Sequence, residues 1–290
     1  MYKLTSPSVA LDIMHKHGFH TIKAFGQNFL ADEHYVNSIV DAADISNDDV
    51  VIEVGPGIGT LTQLMCMRAK HVIAIEIDKK LIPVLNDTLA DFDNLTIVNE
   101  DVLKTDIKAI VNEYSPERAV KIVSNLPYYI TTPVIMRFIE EDVPFSLMVL
   151  MVQSEVADRL SASSGSKDYG VLSVMLQCVC DIEFMFKVPA SVFIPRPQVS
   201  SGVIRLRPKE KRLTAKNSEL FRSIVKGAFM QRRKTLLNSL SSVSELKTLT
   251  KVDITEILSQ AGIPATERCE NLSIEQFIAL TDSTEAYLSK

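Results

Sequence analysis

A doubly wound parallel α/β sheet followed by a smaller, all-helical region is the fold this sequence predicts. Three observations predict it. Short apolar runs alternate with helical patterns through the first half of the chain. A glycine-rich turn follows the first strong strand directly. Beyond Pro208 the strand pattern stops and only helical periodicity remains. Strands separated by helices imply parallel pairing with helices on both faces, and right-handed crossovers then wind the sheet in both directions.

Val50 to Val54 reads as a buried strand, the glycine turn follows, and a helix runs from about Thr60 to Ala69. Val72 to Ile77 is the second strand, with a helix over Lys79 to Ala90. Leu95 to Val98 is the third, and a helix over Ile107 to Glu113 leads to the fourth at Val120 to Val123. A helix over Thr131 to Glu140 leads to the fifth at Ser146 to Val152. Two further strands, near Phe184 to Val188 and Val203 to Leu206, read as a hairpin-like extension. The prolines between them leave the register open. Pro208 and the charged run Lys209 to Arg212 mark a boundary, giving domains 1–208, with 1–24 as an N-terminal arm, and 209–290. Helices are expected over Ser218 to Leu240, Asp253 to Ala261 and Ile274 to Tyr287. Ser273-Ile274-Glu275-Gln276 has the form of a capping box opening the last.

The chain has 290 residues, 46% hydrophobic and 23% charged, which is ordinary soluble composition. Its most apolar run, Phe145 to Val152, is far short of the about 20 residues that span a bilayer, and no signal pattern opens the chain. Cytoplasmic residence is the expectation. Cys66, Cys178, Cys180 and Cys269 then read as buried free thiols. The single residue between Cys178 and Cys180 is tighter than zinc spacing. No metal is expected, and His15, His17 and His20 read as part of an exposed arm rather than a ligand set. The net charge is −5, yet the segment from Lys211 to Leu240 carries +7, leaving −12 on the rest. An acidic body with one basic segment suits a polyanion met on one face. A solvated helical face explains the charge equally well.

Ligands of doubly wound sheets sit beyond the carboxyl ends of the strands. Glu53, Glu76, Asp101 and Asn125 all fall at or just after such ends. In Gly55-Pro56-Gly57-Ile58-Gly59, glycines permit positive φ and close approach of a ligand to the backbone. The spacing is not that of a P-loop, and it only approximates the dinucleotide fingerprint. Glu76 can accept the ribose hydroxyls of an adenosine-containing cofactor. Asp101 can accept from its adenine amino group, or cap the helix that follows.

Asn125-Leu126-Pro127-Tyr128 discriminates among the readings. An adenine amino nitrogen is a poor nucleophile because its lone pair is delocalised into the ring. The Asn125 side-chain oxygen and the Leu126 carbonyl can accept its two N–H groups and favour a more tetrahedral nitrogen. Pro127 fixes the turn, and Tyr128 offers a ring for an extruded base. With the glycine turn upstream, this points to methyl transfer from S-adenosylmethionine to an exocyclic adenine nitrogen.

On these motifs the chain resembles the ribosomal RNA adenine N6-dimethyltransferases, and most closely the bacterial small-subunit members. The resemblance covers nearly the whole chain and implies a Rossmann-like class I S-adenosylmethionine-dependent methyltransferase sheet with a smaller helical domain. Gly26-Gln27-Asn28-Phe29-Leu30 matches the family's N-terminal cofactor motif, which implies cofactor contacts from Asn28 and Leu30. Glu53 to Thr60 carries over Gly55 and Gly57, and Glu76 and Asp101 match ribose and adenine contacts. Asn125 to Tyr128 matches the catalytic motif, with Asn125 also near the cofactor. Phe193 to Ser201 matches the loop F-x-P-x-P-x-V-x-S, where Phe193 would pack against the target base opposite or edge-on to Tyr128. Arg232-Arg233-Lys234 resembles the basic part of the rRNA-facing helices. Phe25 and the histidine-containing lead before Gln27 depart from the family pattern.

The implied activity is dimethylation of two adjacent adenosines in the loop of the 3′-terminal hairpin of 16S rRNA, by a monomer acting on the assembling small subunit. The alternative is the macrolide-resistance type acting on large-subunit rRNA, for which an isoelectric point near 5.6 is low. A DNA adenine methyltransferase lacks support because no separate recognition domain is evident. A binding protein without catalysis leaves the tetrapeptide unexplained, as does a nicotinamide-dependent oxidoreductase.

Overall fold

Residues 1–19 and 27–289 are described by a computed structural model. Helix α1 (Pro7–Lys16), strand β1 (Phe29–Leu30) and helix α2 (Glu33–Ala42) come first. Strands and helices then alternate: β2 (Val50–Val54), α3 (Thr60–Cys66), β3 (His71–Ile75), α4 (Ile82–Thr88), β4 (Leu95–Val98), α5 (Ile107–Tyr114), β5 (Val120–Asn125), α6 (Thr131–Glu140) and β6 (Phe145–Gln153). Helices α7 (Ser154–Ser161) and α8 (Val171–Gln177) precede β7 (Cys180–Val188), β8 (Phe193–Ile194) and β9 (Ser201–Pro208). Four helices end the chain: α9 (Ser218–Met230), α10 (Leu236–Leu240), α11 (Lys251–Gln260) and α12 (Ile274–Leu288).

The main sheet has seven strands in the order β4-β3-β2-β5-β6-β9-β7. The first five are parallel, and β9 runs antiparallel to β6 with Gln153 opposite Ser201. β2 is buried along its whole length, as a central strand covered on both faces must be. The two late strands are neighbours, as expected, but the later one lies inside. β9 is almost continuously buried, through Val203, Ile204 and Leu206, whereas β7 mixes exposed and half-buried residues and takes the edge.

The chain divides into two compact units, Met1–Ala157 with Ile182–Pro208, and Asp158–Asp181 with Lys209–Lys290. The sequence places one boundary, after 208. The structure has that boundary and also assigns Asp158–Asp181 to the helical unit. The cause is apolar: Tyr169, Val174 and Cys178 share a core with Phe221, Ile224, Phe229, Leu258 and Phe277.

Two expectations need correction. The N-terminal arm is not an exposed tail over its described part. Leu4, Ala10, Ile13 and Phe19 are buried against Phe29, Ile58, Leu81 and Leu85, and Asp87 receives Lys16 Nζ at 2.7 Å and His17 Nε2 at 2.9 Å. His20, Phe25 and Gly26 lie outside the described residues. The helix expected over Ser218 to Leu240 is two helices, broken between Met230 and Leu236. At the break Arg232 donates to the Tyr169 carbonyl at 2.8 Å, and Leu236 N–H donates to the Glu267 carbonyl at 2.8 Å. The Leu236 N–H, which a continuous helix would bond internally, is thus taken by a partner outside the helix. The capping box on α12 is present: Gln276 N–H donates to Ser273 Oγ at 3.3 Å, and Ser273 N–H to Gln276 Oε1 at 2.9 Å.

Candidate active site

The carboxyl ends of β2, β3 and β5, together with β1, β8 and the loop after β4, line one cleft of about 200 Å³. Gly55, Gly57 and Gly59 turn the chain from β2 into α3 with φ of +69°, +61° and +91°. A side chain at Gly57 would put its Cβ 2.8 Å from the Phe29 ring, so this turn needs glycine for space as well as for φ. Asn28, Leu30, Gly55, Gly57, Glu76, Asp101, Asn125, Leu126, Pro127, Tyr128 and Phe193 all border this cleft. Every residue that the sequence assigns to cofactor binding or catalysis is therefore in one place.

The floor of the cleft is acidic. Glu76 is buried and accepts the Asp78 N–H at 2.8 Å. Burial pushes its carboxyl up to about 7 despite that bond. Glu53, 1% exposed, accepts the Thr62 hydroxyl at 2.5 Å. Burial, with Glu76 nearby, raises it to about 8. Asp101 accepts the Leu103 N–H at 3.0 Å and so shapes its own loop. Arg137 of α6 holds the same loop by donating to the carbonyls of Val102 and of Thr105, the latter at 2.7 Å.

Asn125 is the last residue of β5, opposite Met151 of β6. Its side-chain amide donates to the Asn28 carbonyl at 3.2 Å, so its donor end is occupied by protein and its oxygen is the opposite end of the group. Leu126 N–H donates to the Met151 carbonyl at 3.1 Å, and Ile130 N–H to the Pro127 carbonyl at 3.1 Å. The Pro127 ring lies next to Gly55, bringing the two motifs into contact. Tyr128 is half-buried. Phe193 is reached from far along the chain by a two-residue antiparallel ladder, with Leu30 opposite Phe193 and Phe29 opposite Ile194.

The model of the ribosomal RNA adenine dimethylase family matches residues 18–285. The chain belongs to that family. A ribosomal RNA small subunit methyltransferase A from Alkaliphilus metalliredigens is 48% identical over 287 residues, 99% of each chain. One from Bacillus cereus is 43% identical over 285 residues, 98% of each. Among solved structures, a dimethyladenosine transferase from Plasmodium falciparum has a TM-score of 0.73 at 28% identity, over 86% of this chain and 94% of that one. The 23S rRNA methyltransferase ErmE has a TM-score of 0.66 at 27% identity, over 88% and 99%. The fold is that of a class I methyltransferase.

In this member of the adenine dimethylase family, Arg232, Arg233 and Lys234 belong to the helical unit. Arg232 is half-buried, donates to Tyr169 and sits with its guanidinium 5.7 Å from the centre of the Phe229 ring. It packs within its own unit, whereas Arg233 and Lys234 are exposed. Sequence reasoning left several cleft residues without a role. Glu53 carried a signal, as an acid at a strand end, and Tyr129 stands beside the motif. Gln27 falls within the motif at 26–30, and Ile77 showed no signal.

Proposed function

We propose that this chain transfers methyl groups from S-adenosylmethionine to N6 of two adjacent adenosines in the loop of the 3′-terminal hairpin of 16S rRNA, during assembly of the small ribosomal subunit. The observation that carries the reading is the Asn125–Tyr128 turn, packed through Pro127 against Gly55 of the glycine turn. Each adenosine takes two methyl groups, so the reaction takes four cofactors per RNA.

The residues present fit S-adenosylmethionine. Glu76 and Asp101 offer carboxylate acceptors for ribose and adenine, Gly55 and Gly57 allow close backbone approach, and Asn28 and Leu30 close the side facing β8. When bound, the cofactor supplies an electrophilic methyl group and a good leaving group. The protein's task is then placement. Asn125 Oδ1 and the Leu126 carbonyl would accept hydrogen bonds from the two N6–H groups of the unmethylated base, one of them keeping the remaining N–H in the second transfer, and so steer the nitrogen lone pair. Tyr128 and Phe193 hold the flipped base, which is cheaper to extrude from a loop than from a duplex. The attacking nitrogen becomes positively charged and acidic as its bond to carbon forms, so its proton can pass to solvent after the methyl has moved, and positioning outweighs strong base catalysis.

Full-length similarity to small-subunit enzymes at 43–48% identity favours the small subunit over the large-subunit alternative, to whose structural representative the chain is 27% identical. The expected state is a cytoplasmic monomer. No helix among the described residues is long and apolar enough to cross a membrane. Labelled methyl transfer to undermethylated small subunits, followed by nucleoside analysis, tests the assignment. Dimethyladenosine at two adjacent positions is expected, and Asn125→Ala lowers the rate by about 100-fold. Transfer to large-subunit RNA instead, or a near-normal Asn125→Ala rate, would count against it.

A further inference from the structure

We infer that Ser201 is a positioning residue for the reaction, fixing the tip and long axis of the Tyr128 ring through a hydroxyl–hydroxyl bond from the inner antiparallel strand of the sheet. The inference rests on the functional reading above, in which Tyr128 is the platform for the flipped adenine.

The Tyr128 Oη and Ser201 Oγ atoms lie 2.9 Å apart, across 73 residues of sequence. Ser201 is fully buried, whereas Tyr128 is half-buried and borders the cleft. Both ends of the contact are anchored. Ser201 opens β9 opposite Gln153 of β6, and Ser154 N–H donates to the Ser200 carbonyl at 3.0 Å. On the other side, Leu126 N–H is bonded to Met151 of the same β6, and the Pro127 carbonyl accepts from Ile130 N–H and Thr131 Oγ1. The two residues before the tyrosine are thus held at their backbone, one of them by β6, and its far tip is held by β9, the neighbour of β6.

A tyrosine has two side-chain torsions, and a bond at the para oxygen restrains the first, which swings the long axis of the ring; that oxygen lies on the axis of the second. A stacking platform needs that restraint. A ring free to swing about its first torsion would leave the base unsupported for part of the time and misplace the amino nitrogen against the methyl donor. Burial raises the Tyr128 hydroxyl above its ordinary value, so it stays protonated and serves as a bonding tip rather than a base. Ser201 closes the segment that begins at Phe193, so one stretch of chain supplies a ring to the cleft and the restraint on the ring across from it.

The test is a double-mutant cycle in the full chain, with undermethylated small subunits as substrate. Ser201→Ala and Tyr128→Phe are each expected to lower kcat by about fivefold to tenfold, with the affinity for S-adenosylmethionine unchanged. The double variant should be no worse than either single one, because both remove the same bond. Ser201→Thr, which keeps the hydroxyl, should retain most of the rate. Tyr128→Phe reports on the bond without touching β9, so it decides the matter if Ser201→Ala folds poorly. Multiplying losses, or a wild-type kcat for Tyr128→Phe, would overturn the positioning role and leave the activity standing. A wild-type chain that binds the cofactor but methylates no small subunit would overturn the functional reading, and this inference with it.

Discussion

Two buried carboxyls meet at the ends of β2 and β3. Both border the cleft; Glu53 is bonded to the Thr62 hydroxyl, while Glu76 accepts the Asp78 backbone N–H. Burial raises both above the ordinary carboxylate value of 4.5, to about 8 and about 7. The folded chain therefore holds protons that the unfolded chain has released. Their contribution to stability is complete below about pH 4.5, declines as pH rises, and is lost above about pH 8. Thermal unfolding of the ligand-free protein across that window should show the decline. Glu53→Gln, which keeps an acceptor for Thr62, should flatten it; an unchanged slope in that variant would remove Glu53 as the cause. At this scale the sequence was informative wherever a role follows from position at a strand end. Glu76, Asp101 and Asn125 could be placed without coordinates for that reason. Ser201 could not, because its partner is 73 residues away. Nor could the packing of Arg232 on Tyr169 and Phe229, because a basic residue in a helical pattern looks solvated until its carbonyl partner is known.

Among the elements, the turn from β2 into α3 is the most constrained. Gly57 combines a φ of +61° with a Phe29 ring that leaves no space for a methyl group. Gly57→Ala should destabilise the fold by about 1–3 kcal/mol in chemical denaturation, and weaken S-adenosylmethionine binding in calorimetry because the displaced ring borders the cleft. A variant of wild-type stability and affinity would mean that the turn relaxes freely. The parallel strands were legible because central strands are continuous apolar runs with polar residues only at their ends. β1 and β8 were not, since two residues each carry no periodicity and their pairing joins segments far apart in sequence. The break between α9 and α10 was hidden for the opposite reason. Gln231 to Lys234 are acceptable helix formers, and bonds from elsewhere in the helical unit end the helix there.

Over the whole molecule, charge and connectivity set the expectations. The segment from Lys211 to Leu240 carries +7 against −12 elsewhere, and within it Arg233 and Lys234 are exposed while Arg232 packs inward. If the exposed pair meets RNA phosphates, Arg233→Ala and Lys234→Ala should each lower the slope of log affinity against log salt by about 0.7 for single-stranded contacts. Filter binding to small-subunit RNA over a salt series reads this directly, and unchanged slopes would return both residues to the solvated face. Pro208 was visible as a boundary because composition changes there; the membership of Asp158–Asp181 was not, because its link to the helical unit is packing rather than pattern. That membership has a consequence for synthesis. Tyr169, Val174 and Cys178 leave the ribosome before β7 and β9 complete the sheet, and well before Phe229, Leu258 and Phe277, the residues that cover them. The helical core is assembled from two instalments of chain made at different times. A chain stopped at Pro208 would keep every strand of the catalytic sheet, yet carry an apolar segment whose partners are never made.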